Sequence, residues 1–141
     1  MRLKAMAKIN LGLDVLGKRE DGYHEVRMIM QTIRMYDILD IRKTRRPGIV
    51  LTTNLPFIPT DQRNLVYKAA QMLMEEFDVE EGLSIKLRKF IPVAAGMAGG
   101  SSDAAAAFVG VNRMFHLGLT EEQLMERAVK VGADVPYCIM R

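Results

Sequence analysis

The 141 residues are 49% apolar and 26% charged, ordinary usage for one globular domain, which excludes a disordered or low-complexity chain. A single cysteine, Cys138, excludes an internal disulfide framework and gives no metal-ligand spacing. The net charge of +3 permits nucleic acid, a membrane surface or a phosphorylated small molecule, and chooses none of them.

No stretch approaches the ~18 uninterrupted apolar residues of a membrane span. Lys4, Lys8, Asn10 and Asp14 interrupt the first apolar residues and no small-residue cleavage site follows, so cytoplasmic residence is the expectation. The one dense basic run, Arg42-Lys43-Thr44-Arg45-Arg46, stands before Pro47-Gly48 and reads as a solvated strand end and turn.

In chain order, Leu3, Ala5, Ala7, Ile9, Leu11, Leu13 and Val15 alternate with a period of two, which predicts a half-buried strand over Leu3–Val15. Glu20-Asp21-Gly22-Tyr23 is a turn. Strands are predicted over His24–Met35 and, after a break at Tyr36-Asp37, over Ile38–Arg42. Ile49–Thr53 reads as a further strand, closed by Asn54 and Pro56. Leu65, Ala69, Met72, Leu73 and Phe77 fall at helical spacing, so an amphipathic helix is expected over Asn64–Phe77, with Asp61 or Asn64 as its cap. Leu83–Leu87 alternates as a strand. A helix should begin at Ser101 or Ser102 and run to about Phe115. Thr120-Glu121-Glu122-Gln123 has the form of a capping box that opens another helix. Val135–Met140 reads as a short apolar strand, and an apolar last element with no polar tail suggests a chain that stops inside a larger protein. Leading strands with helices to one side predict an α+β fold.

The strongest signal is Pro92-Val93-Ala94-Ala95-Gly96-Met97-Ala98-Gly99-Gly100-Ser101-Ser102. Glycines let backbone N–H groups approach a ligand, and a helix N-terminus directly after them adds unpaired donors and partial positive charge. That combination suits phosphate. The spacing is neither a Walker A loop, since no Gly-Lys-Ser/Thr follows, nor the dinucleotide Gly-x-Gly-x-x-Gly. From the residues alone, a glycine turn feeding an Ala-rich packing helix stays open beside the phosphate reading.

The segment resembles the phosphate-binding loop of the GHMP kinases, a Pro-x-x-x-Gly-Leu-(Gly/Ala)-Gly-Ser-Ser pattern with Met97 here in place of Leu. Ala7-Lys8-Ile9-Asn10-Leu11, Arg19-Glu20-Asp21-Gly22-Tyr23-His24 and Gly132-Ala133-Asp134-Val135-Pro136 are similar to motifs of the diphosphocytidyl-methylerythritol kinases within that superfamily. The resemblance covers the chain from end to end. It implies the superfamily's N-terminal, ATP-binding domain over residues 1–141, a ribosomal-protein-like fold with a mixed or antiparallel sheet and helices packed on one side. It also implies a C-terminal half, or a partner chain, that completes the cleft, because the family's chain is about twice as long. The activity implied is ATP- and Mg²⁺-dependent phosphorylation of a small-molecule alcohol, with no nucleic-acid or membrane partner.

By resemblance, Asp134 is the catalytic aspartate and Lys8 pairs with it. Asn10, Tyr23 and His24 meet the substrate, Asn64 and Lys89 meet the nucleotide, and Pro92 to Ser102 cradle phosphates. No Mg²⁺ ligand is assigned. On the residues alone, Asp134 reads as a turn or cap, Lys8 as a solvated strand residue, and Tyr23 and His24 as turn residues. Another GHMP kinase, acting on homoserine or a mevalonate-type alcohol, and a non-catalytic nucleotide- or RNA-binding module remain the alternatives.

Overall fold

The structure, a computed structural model, describes residues 1–140. Its order is β1 (Arg2–Lys18), β2 (His24–Thr44), β3 (Ile49–Thr53), α1 (Leu65–Glu76), β4 (Gly82–Arg88), α2 (Gly99–Met114), α3 (Glu121–Ala128) and α4 (Val135–Met140). The strands form one mixed sheet in the order β1-β2-β4-β3, antiparallel except for the β3–β4 pair, whose parallel crossover is α1. The α+β expectation holds.

The core lies between the sheet and the helices. Leu39, Ile41, Leu83, Ile85 and Leu87 of the sheet are sealed from solvent with Val66 and Leu73 of α1 and Phe108 and Val111 of α2. Each such side chain contributes about 1.5–3 kcal/mol of burial. Helix α2 comes down tightly on the sheet, and a Cβ at Gly110 would stand only 2.5 Å from Ile41 Cδ1 and 2.6 Å from Leu3 Cδ1. The Ala104–Ala107 run, buried throughout, serves the same close approach.

Two elements depart from the expectations. β2 runs unbroken through Tyr36-Asp37, which pair with Met6 and Ala5. Asp is poor in strands because its carboxylate competes for backbone donors. Here Asp37 is wholly buried and its oxygens are taken by donors brought from the far end of β4. Val135–Met140 is a helix, not a strand: a six-residue apolar run carries no periodicity that separates a strand from a buried helix, and Pro136 is harmless in a first turn, where its N–H has no partner to lose. The capping box of α3 is present in both directions: Thr120 Oγ1 accepts from Gln123 N at 3.2 Å, and Gln123 Oε1 accepts from Thr120 N at 3.0 Å.

β1 is longer than its alternation suggests, and register shifts at Met6/Lys8 and Asn10/Gly12 break the two-residue period. The first shift buries the neighbours Ala7 and Lys8 together. Beyond Asn10 the β1–β2 ribbon is an exposed hairpin arm, closed at Asp21-Gly22 with Gly22 at φ 86°.

Candidate functional site

The glycine-rich loop is fixed at three points. Met97 O accepts from the backbone N–H of Lys8 at 3.0 Å, Ala98 O accepts from Ser102 N at 2.8 Å, and the Ser102 hydroxyl donates to Met6 O. Positive φ occurs at Gly96 (71°) and also at Ala94 (59°) and Ala98 (54°). A left-handed alanine costs roughly 1–2 kcal/mol, so these contacts hold a strained backbone in place. Gly99 and Gly100 are helical; Gly99 is favoured by proximity, since a Cβ there would lie 3.1 Å from Ile91 Cγ2 and 3.2 Å from Lys89 Nζ. The N–H groups of Gly99, Gly100 and Ser101 open α2 outside its ladder of i→i−4 bonds and form its positive end.

The loop, Ser101 and the start of α1 line a cleft of about 550 Å³. Lys8, Asn10 and Asp134, three positions scattered along the sequence, meet in it. Lys8 Nζ lies 3.5 Å from Asp134 Oδ2 and donates to Asn10 Oδ1 at 3.0 Å. Lys8 is buried, whereas the Asp134 side chain keeps 40% of its surface open to the cleft. Asp134 immediately precedes α4 and its carbonyl accepts from Cys138 N, so the helix turn sets its position. A carboxylate side chain held beside a buried lysine, accessible from one side, is suited to accept a proton from a bound hydroxyl.

Asn64 and Lys89 also line the cleft, but their side chains are committed. Asn64 caps α1: its Oδ1 accepts from Val66 N and its Nδ2 donates to Pro59 O. Lys89, 8% exposed, donates from Nζ to Asp103 Oδ2 at 2.7 Å and to Asp37. Burial opposes the Lys89 charge, yet the two carboxylates outweigh it and hold its pKa above the usual value. Asp103 is pushed up to about 8, chiefly by burial, with Asp37 adding repulsion and Lys89 only partly offsetting it.

Three other expected residues lie apart from the cleft chemistry. The Ser102 hydroxyl is turned into the protein toward Met6 O, so of the two serines Ser101 is the one that faces the cleft. Tyr23 and His24 are exposed at the end of the hairpin arm. His24 lies six residues beyond Met30, the partner of Asn10, or about 20 Å along the strand. Sequence reasoning missed Asp37 and Asp103. Asp103 directly follows the loop, and a lone acid leading an alanine run is the signal that could have found it.

This strand–loop–helix site on a mixed sheet defines a class. Residues 64–141 match the family described as the GHMP kinases N terminal domain, and the chain belongs to the GHMP kinases. Within that class it is 56% identical over 139 residues to the 4-diphosphocytidyl-2-C-methyl-D-erythritol kinase of Lachnoclostridium phytofermentans, covering 99% of this chain and 48% of that one. It is 56% identical over 140 residues to the kinase of that name from Caldicellulosiruptor bescii, covering 99% and 49%. A crystal structure of 4-(cytidine 5'-diphospho)-2C-methyl-D-erythritol kinase superposes with a TM-score of 0.84 at 34% identity, over 99% of this chain and 49% of that one. A mevalonate kinase structure, at 16% identity and a TM-score of 0.70, shares the fold. The chain spans about half the length of the curated relatives it matches. Among the described residues, no helix is long and apolar enough to cross a membrane.

Proposed function

We propose that this chain is the nucleotide-binding half of a kinase that transfers the γ-phosphoryl group of ATP to the 2-hydroxyl of 4-diphosphocytidyl-2-C-methyl-D-erythritol, a step of non-mevalonate isoprenoid synthesis. The observation that carries the reading is the Lys8–Asp134 pair, 3.5 Å apart at the mouth of the glycine-rich loop. The names of relatives that match the chain from end to end supply the substrate.

In this reading the ATP phosphates lie against the N–H groups of Gly99, Gly100 and Ser101, with the segment from Pro92 to Ala98 as wall. The acceptor hydroxyl sits between Asn10 and Asp134. Its oxygen bonds to the γ-phosphorus, the bond to the β-phosphate oxygen breaks, and Asp134 takes the proton. Lys8 holds Asp134 in place and orients the hydroxyl. The distance from the cleft to Tyr23 and His24 suits an elongated acceptor whose cytosine reaches the arm while its alcohol reaches Asp134. The described residues hold no group of three or more His, Cys, Asp or Glu side chains fit to hold a metal. Mg²⁺ enters this reading as a companion of the ATP phosphates.

The test is ADP release by the full-length protein with and without the cytidyl alcohol. Acceptor-dependent release is expected, and little from the 141-residue chain alone, because phosphoryl transfer depends on positioning from all sides of the cleft. Release that depends instead on homoserine or mevalonate would replace the substrate assignment.

A further inference from the structure

Beneath the phosphate loop lies a set of charges that the proposed chemistry does not use. Lys89 follows the end of β4, and its main chain is pinned on both sides: its N–H donates to Asn54 Oδ1 at 2.7 Å, and its carbonyl accepts from Asn54 Nδ2 at 3.1 Å. The next two N–H groups, of Phe90 and Ile91, donate to Asp37 Oδ1. From this rigid base the Lys89 ammonium reaches Asp37 of β2 and Asp103 of α2 at once. It sits directly under the first residue of α2, 3.2 Å from where a Cβ on Gly99 would be.

We propose that Lys89 and Asp103 are positioning residues for ATP, their contact fixing the height and tilt of the first turn of α2 and hence of the N–H groups that meet the phosphates. This rests on the kinase reading above and goes beyond it: the resemblance gave Lys89 a nucleotide contact, whereas its ammonium is committed to Asp37 and Asp103 and acts through α2. Two observations favour positioning over plain packing. Asp103 Oδ1 is buried with no hydrogen-bond partner, a cost that a core position would avoid with an alanine like the four that follow it. Ala98, left-handed at φ 54°, stands directly before the first turn of α2, so the strain of the loop bears on the turn that Lys89 underlies. The raised pKa of Asp103 records the same cost in another form.

The experiment compares Asp103→Ala, which removes the contact, with Asp103→Asn, which keeps an acceptor for Lys89, in the full-length protein. Equilibrium titration with ATP and with AMP reads the loop, and thermal melting verifies folding. Asp103→Ala should bind ATP roughly 10-fold more weakly and AMP as the parent does, while Asp103→Asn should keep ATP affinity within about 3-fold. A folded Asp103→Ala protein with parental ATP affinity, or with ATP and AMP weakened alike, overturns the proposal. If Asp103→Ala does not fold, Asp103→Ser, too short to hold Lys89 as the carboxylate does, decides on the same titrations: ATP weakened with AMP unchanged supports the contact, and parental ATP affinity overturns it. A parent that binds no ATP sinks the kinase reading itself, a result distinct from either variant outcome.

Discussion

Two charged groups flank the glycine-rich loop, and they differ in what they are free to do. Below it, Lys89, Asp37 and Asp103 are almost wholly buried and bonded to one another and to backbone. Above it, Lys8 is equally buried, but its partner Asp134 faces the cleft. The buried group resists desolvation only as a set, whereas the open pair has one member that a ligand can touch. Burial of a charged residue therefore does not mark it as chemical. What separates the two groups is exposure: the Asp134 side chain keeps 40% of its surface open, the Asp103 side chain 2%.

The largest effect that follows is on turnover. Asp134→Asn should lower acceptor-dependent ADP release by about 10²–10⁴-fold and leave the melting temperature close to that of the parent, because the amide oxygen still meets the buried Lys8. A variant that melts early and keeps its activity would erase the distinction between the two groups.

The next effect is on stability against pH. Asp103 has a folded pKa of about 8, well above its ordinary 3.8, so the folded protein binds more protons than the unfolded chain between those values. Stability from this residue is greatest at low pH, declines as pH rises from about 4 to about 8, and is level above that. The slope is at most about 1.4 kcal/mol per pH unit, the limit for one proton. Lys89 and Asp37 are the charged groups against it. Denaturant unfolding across pH should show the decline in the parent and lose it in Asp103→Asn; equal slopes would mean that Asp103 is ionised throughout.

A smaller effect tests how tightly the loop rests on the buried group. Gly99→Ala should destabilise by about 1–2 kcal/mol, because the added methyl meets Ile91 and the pinned Lys89 ammonium at 3.1 and 3.2 Å. Gly100→Ala, whose Cβ would meet only Leu65 Cδ1 at 3.8 Å, should be neutral or slightly stabilising by helix propensity. Chemical denaturation of both variants separates these cases, and equal costs would show that the loop floats free of Lys89.

Much of this was legible from local pattern. The first strand, the Asp-Gly turn, α1 with its Asn64 cap, β4 and the α3 capping box all follow from spacing within a few residues. The convergence of Lys8, Asn10 and Asp134 followed from resemblance, since 126 positions (134 minus 8) separate the strand lysine from the aspartate and no periodicity links them. What local pattern missed was decided by distant partners. Asp37 reads as a strand breaker until donors 52 to 54 residues away claim its oxygens. Lys89 reads as an exposed strand end until two aspartates from other elements close on it. The α4 run was ambiguous because six apolar residues fit either element.

The smallest effect separates two adjacent serines that the sequence treats as equals. Ser102 donates to Met6 O and is buried, which ties α2 to β1, whereas Ser101 is half-buried and lines the cleft. Ser102→Ala leaves the partly buried Met6 carbonyl with one fewer donor, so it should cost about 1 kcal/mol of stability and leave the KM for ATP unchanged. Ser101→Ala should do the reverse, raising the KM for ATP a few-fold with unchanged melting. The pair reproduces in miniature the contrast between the two charged groups: one side chain spends its hydrogen bond inside the fold and the other keeps it for a ligand. If both variants shifted KM and neither shifted stability, the Ser102 hydroxyl would face the nucleotide and the anchoring of the loop to β1 would rest on the Lys8–Met97 backbone bond alone.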